Sequence, residues 1–268
     1  MVERLLAVRP EERRGTAAAF LTIFGTLAAH TLLETARDAL FLARLPASRL
    51  AVVYLLIALA AVAVAQAPWG RRRAAGAFAL SRLLGLGAAV TFLFWALGRW
   101  QSPLELYALY VWTGLLGSLV VLQFWMVLGD LYTLTQAKRL YSLVWTGSLL
   151  GAVVGAAAAR LVADMASAST LVLASSLLLA VTALGPAVAL GRAGGLSARP
   201  RPRATMAEGL AILKGDAYVR GLAVLVLVST AALTLGDYVF KSAVARSVPA
   251  QDLGTFFGGV YAVLNLVA

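Results

Sequence analysis

The chain has 268 residues, of which 61% are hydrophobic and 13% charged, with a net charge of +11, no cysteine and a single histidine. Soluble domains carry roughly 25% charged residues, so this composition excludes a soluble globular domain. The absence of cysteine excludes disulfide frameworks and thiol chemistry, and one histidine excludes a multi-histidine metal site.

Predominantly apolar blocks run 16–33, 50–69, 76–98, 104–127, 141–159, 168–191 and 219–236, and an eighth begins at Thr255. Each complete block is near the ~20 residues a helix needs to cross a ~30 Å hydrocarbon layer. Lipid leaves no backbone group unpaired, and the blocks are too long and unalternating for barrel strands. The expected fold is therefore all-α, a polytopic transmembrane helical bundle. Met1 to Gly15 carry both signs of charge and no small-residue cleavage pattern follows the first block, so that block reads as a retained helix.

The first segment carries His30, Glu34, Arg37 and Asp38. At 100° per residue they fall within a sector of roughly 100°, one face of one helix. An ionised group at mid-bilayer costs on the order of 3 kcal/mol or more, so such a row implies protein or water behind it. Arg37 can pair with Glu34 or Asp38, at i−3 and i+1, or with an anionic ligand; Glu34 or Asp38 would then steady the guanidinium or exchange a proton. A self-neutralised cluster at the outer end of the helix is the alternative.

Arg71 to Arg73 follow the second segment, and Arg82, six residues into the third, snorkels to the cytoplasmic side. The fourth holds Gln123, Phe124, Trp125 and Asp130, with Gln123 and Asp130 on one face, followed by a loop with Lys138 and Arg139 before Tyr141. The aromatic pair reads as an interface anchor or as a platform for a ring. In the fifth, Gly147, Gly151 and Gly155 recur every four residues, a packing pattern. The pattern lacks a Walker lysine, a preceding strand and a soluble domain, so an ATPase is not expected.

Gly191 to Gly215 is the long polar stretch, in which Met206, Leu210 and Leu213 suggest a short interfacial helix or a cap for the next segment. The seventh segment ends in Thr230, Thr234, Asp237 and Lys241, within a sector of roughly 60°. Asp237 and Lys241 are spaced for an i,i+4 ion pair, and Lys241 could equally hold an anion.

With the start inside, the inner segments hold Arg4, Arg9, Arg13, Arg14, Arg71, Arg72, Arg73, Lys138, Arg139, Arg192, Arg199, Arg201, Arg203, Lys214 and Arg220. The outer ones hold Arg37, Arg44, Arg49, Arg99, Arg160, Lys241 and Arg246. This asymmetry puts the N-terminus in the cytoplasm, in an inner cell membrane crossed several times. Topology and anionic lipid explain the positive charge without nucleic acid.

An internal repeat follows. Asp38-Ala-Leu-Phe41 precedes Pro46-Ala47, Leu50 and Tyr54; Asp237-Tyr-Val-Phe240 precedes Pro249-Ala250, Leu253 and Tyr261. The two aspartates are 199 residues apart with six apolar blocks between them, so the repeated unit is a six-helix half. Two halves need about 400 residues, and the chain reads as one half with the start of a second. The expected domains are residues 1–191, a six-helix half; 192–218, a central cytoplasmic linker; and 219–268, the first two helices of the second half. Six plus six helices in parallel repeat resemble the major facilitator architecture, whose substrate site lies between halves at mid-membrane.

The runs Thr35-Ala-Arg-Asp-Ala-Leu-Phe41 with Leu45-Pro46, Phe124-Trp125 through Gln136-Ala-Lys-Arg-Leu-Tyr141, and Asp237-Tyr-Val-Phe-Lys241 resemble the ATP/ADP translocase family. The likeness spans essentially the whole chain in short, degenerate motifs. It implies a twelve-helix carrier that exchanges ATP for ADP, or moves related nucleotides, without a covalent intermediate. Arg37 then matches the family's cationic position beside the aspartate, and Lys138 with Arg139 its basic pair before the fifth helix. Glu34 stands where those carriers, as aligned, have an arginine, and His30 where they have a tyrosine.

Three classes of function fit this reading. The first is an alternating-access carrier for a small anion, ATP and ADP among the candidates. Its substrate would meet Arg37, Asp38, Glu34, His30, Lys241, Asp237, Lys138 and Asp130, in a wet chamber shared by the first and seventh segments. The second is a membrane scaffold or sensor whose buried charges fix packing. The third, a membrane enzyme, lacks any nucleophile or paired-acid constellation, and no cofactor is expected.

Overall fold

The computed structural model describes residues 8–66, 76–99, 102–187 and 206–267. Among them are nine α-helices: α1 (Arg13–Leu42), α2 (Leu50–Gln66), α3 (Ala77–Leu97), α4 (Pro103–Leu131), α5 (Leu134–Met165), α6 (Ala168–Gly185), α7 (Met206–Gly215), α8 (Ala217–Ser247) and α9 (Leu253–Val267). Seven of these helices, counting α2 with the 3₁₀ turn before it, are long and apolar enough to cross a membrane. The chain is a helical protein of the multi-pass membrane type. Arg71 to Arg73, Arg192 and the Arg199, Arg201 and Arg203 cluster lie outside the described residues, as does most of the linker.

Helix ends follow local chemistry. Ser102 caps α4 by accepting from the Leu104 amide at 3.2 Å, with Pro103 in the first helical position. Asp216 caps α8 by accepting from the Tyr218 and Val219 amides. Lys138 and Arg139, expected in a loop, lie inside α5. The reason is a capping box: Thr133 accepts from the Gln136 amide while the Gln136 side chain accepts from the Thr133 amide, which starts the helix at Leu134. Gly76 opens α3 at φ 116°, a conformation side chains resist.

α1 is the axis of the bundle. In its most apolar stretch 67% of residues are buried, against none in that of α8. It packs along α5 and α6 and, more narrowly, α4 and α9. The α5 contact is set by glycine. A Cβ at Gly147 would stand 3.0 Å from the Phe20 carbonyl oxygen, one at Gly151 would strike the Phe24 carbonyl, and one at Gly155 would lie 2.7 Å from Ala28 Cα. Backbone against backbone is the closest approach two helices can make. On the α6 side, Ser175 donates to the Ala29 carbonyl at 2.7 Å.

The sequence repeat reappears as a repeated joint. Pro46 and Pro249, both extended at ψ 143° and 145°, each precede one 3₁₀ turn, Ala47–Arg49 and Ala250–Asp252. Each turn leads into a buried leucine, Leu50 or Leu253, that begins the next helix. Proline fixes φ and favours an extended approach, so both segments stop one helix and start another alike. Ala39, Val244, Leu253 and Phe257 form a small core of their own where α1, α8 and α9 meet.

Candidate functional site

The charged faces of α1 and α8 meet. Lys241 Nζ lies 3.1 Å from Asp38 Oδ2 and 3.0 Å from Asp237 Oδ2, and donates to the Tyr110 hydroxyl at 2.9 Å. The ammonium thus faces two carboxylates and one hydroxyl. Arg37 reaches Glu34 Oε1 at 2.8 Å through its terminal nitrogen and Asp38 Oδ1 at 3.4 Å through Nε. Its guanidinium carbon stands 4.4 Å from the centroid of the Tyr110 ring, a cation–π distance.

Two tyrosines close the network crosswise. The Tyr54 hydroxyl of α2 donates to Asp237 Oδ2 at 2.6 Å, and that of Tyr261 on α9 donates to Asp38 Oδ2 at 2.6 Å. Each repeat thus supplies a tyrosine to the other repeat's aspartate. The two are not at equivalent register: eight residues separate Pro46 from Tyr54 and twelve separate Pro249 from Tyr261. About one extra helical turn brings the second hydroxyl to the corresponding place.

Asp38 is fully buried, Lys241 is 1% exposed and Arg37 9%. Removing an ion from water costs several kcal/mol, which direct pairing and full hydrogen bonding offset. Glu34 and Asp237 sit at the edges, with side chains 32% and 38% exposed. The sequence led us to expect a wet chamber between these groups. At this level they touch instead, because Asp38 and Lys241 are opposite in charge and close enough to pair. Away from the network α8 stands apart: its buried residues are Lys241 and Val244, near its end.

The other expected site residues are placed apart or at the margin. His30, one turn before Glu34, lays its ring over Gly117 of α4, its Nε2 2.8 Å from where a Cβ would stand. Thr230 is exposed and accepts the Thr234 hydroxyl at its carbonyl, 2.8 Å away, without joining the network. Asp130, half-buried, ends α4, and Lys138 is exposed on the first turns of α5. Both belong to the opposite end of the bundle, where Arg139 rather than Lys138 makes the contact.

Arg139 binds both oxygens of Glu12, at 2.7 and 2.6 Å, and Gln136 donates to Glu12 at 3.1 Å. Burial pushes the Glu12 carboxyl up, but the Arg9 amide, Gln136 and the Arg139 charge outweigh it and hold the group below its ordinary range. This brace ties the start of α1 to the start of α5. Along α1 it lies about 39 Å from Asp38.

Sequence reasoning missed Tyr110, Glu12 and the roles of Tyr54 and Tyr261. The last two were already visible as members of the repeat. A tyrosine inside an apolar segment, as Tyr110 is, carries no such signal. Comparisons with protein-family models, curated proteins and solved structures returned no match.

Proposed function

We propose that the chain is a multi-pass secondary transporter for a small anionic metabolite, working by alternating access on a major-facilitator plan, with nucleotides such as ATP and ADP among the candidate substrates. The observation that carries this reading is the network between the repeats. Two cations and three carboxylates sit in membrane-length apolar helices, and their contacts cross from one repeat to the other. A charge cluster needed only for packing can be confined to one repeat. One shared between repeats ties their relative position to its own state.

In this reading the joint between α1–α2 and α8–α9 is the closed outer end of the path, and the space where α8 stands off from α1 opens inward. Arg37 and Lys241 would bind the anion. An anion competing for them loosens their hold on Asp38 and Asp237, and with it the joint. The short ion pairs also suit the rival reading of a scaffold whose charges only fix packing.

The test is uptake of labelled ATP, ADP and phosphate compounds into proteoliposomes. Saturable uptake lost in Arg37→Gln and Lys241→Gln, with folded protein retained, is the expected result. Uptake at the wild-type rate by both variants would rule the reading out.

A further inference from the structure

A cavity of about 380 Å³ lies against the first joint, with Pro46 and Ser48 on one side and Tyr238, Ser242 and Arg246 of α8 on the other. The three α8 residues recur every four positions and share one face, next to the face that carries Asp237 and Lys241. Arg246 is five residues past Lys241, about 8 Å nearer the helix end. The cavity therefore lies just outside the network, and both repeats build it.

Among the described residues its lining has hydroxyls and one cation but no carboxylate. Arg246 is exposed and enters no ion pair among those residues, and the same holds for Arg44 and Arg49 in and beside the joint. The corner is positive, which concentrates anions there. In the network both cations are taken, Arg37 by Glu34 and Asp38 and Lys241 by Asp38 and Asp237. Arg246 can hold an anion without displacing an acid.

A second observation comes from Ser242. Serine and threonine in a helix commonly donate to the carbonyl four residues back, as Thr234 does to Thr230 at 2.8 Å. Ser242 does not: its Oγ is closed off from bulk solvent and has no hydrogen-bond partner among the described residues. A buried hydroxyl left unpaired is a standing cost that an oxyanion removes. The larger groove between α5 and α9, about 700 Å³, sets Asp164 and Asp252 beside Arg160 and lacks this bias toward anions.

We propose that the cavity is a second anion site, which holds the phosphate or carboxylate group of a small soluble metabolite against Arg246 and Ser242. Its role as the place where substrate docks before the joint opens rests on the transporter reading above; the binding itself does not.

The experiment places a lone cysteine at Ala245, which borders the cavity, and follows its alkylation by a maleimide in the purified full chain. Inorganic phosphate, ATP, ADP and succinate are the probes, and phosphatidylglycerol in mixed micelles is the lipid control. We expect the soluble anions to slow alkylation. Adding Arg246→Gln should raise the concentration needed about tenfold or more, and Ser242→Ala should raise it less. Arg37→Gln should keep this protection while abolishing uptake in proteoliposomes, and Arg246→Gln should raise the half-saturating concentration for uptake. Protection undiminished in Arg246→Gln, or lost in Arg37→Gln, overturns the second site. So does slowing by the lipid and by none of the soluble anions. No protection by any anion in a protein that takes them up overturns the site and leaves the transporter reading standing. Protection as expected without wild-type uptake upholds the site and overturns that reading.

Discussion

α1 makes two seams of opposite character. Against α5 it presents backbone to glycine, with Phe20, Phe24 and Ala28 set on Gly147, Gly151 and Gly155. Toward α8 it offers Asp38, and a network of ions and tyrosines spans the gap. The first seam is close-packed over several turns and has no alternative partner. The second is narrow and made of groups that water or an anion could also satisfy. A rigid half and a movable contact can thus be built on one helix.

The most damaging way to break the comparison is at the first seam. Gly151→Leu should cost about 3 kcal/mol or more, because its added carbon meets the fixed Phe24 backbone. Gly221→Ala on α8, where nothing lies within 4 Å, should be close to neutral. Thermal unfolding of the detergent-purified protein would show the contrast, and equal effects at the two glycines would contradict it.

At the second seam, Lys241→Met should cost about 3–5 kcal/mol by leaving the buried Asp38 with only its longer contact to Arg37. Adding Asp38→Asn should recover part of that loss. A double variant less stable than the single one would remove the ion pair from the account. Tyr54→Phe and Tyr261→Phe should each cost less, about 1–2 kcal/mol, since each deletes one hydrogen bond to a carboxylate. Similar losses in the two would support the crosswise equivalence of the repeats.

Much of this was legible from residues alone. Charges in apolar segments are expensive, so His30, Glu34, Arg37, Asp38, Asp237 and Lys241 stood out. The repeated Asp-x-x-Phe and Pro-Ala-x-x-Leu steps pointed to joints that fold alike. The pairs within one helix, Arg37 with Glu34 and Asp38 and Asp237 with Lys241, were legible from spacing; the Asp38–Lys241 pair was not, because it joins residues far apart in sequence and depends on how α8 leans. The true start of α5 was readable in Thr133 and Gln136, but the basic residues that follow masked the cap. Tyr110 was invisible because its value comes from Arg37 and Lys241 arriving from two other helices.

The smallest expected effect is at the remote brace. Glu12 is held below the ordinary carboxylate range. Its contribution is therefore present at neutral pH, where the unfolded carboxyl is also ionised, and is lost as pH falls through the folded value. The melting temperature should drop in acid more steeply for the wild type than for Glu12→Gln. Parallel pH profiles would show that the brace adds nothing.

The account turns on the α1–α8 seam opening, and the absence of cysteine makes that directly measurable. Spin labels on Ser48→Cys, beside the first joint, and Arg246→Cys, at the end of α8, would report the distance across it in proteoliposomes. We expect a short distance without anion and a second, longer population when ATP, ADP or phosphate is added. One short distance, unchanged by any of these anions in a protein that transports them, would contradict the claim.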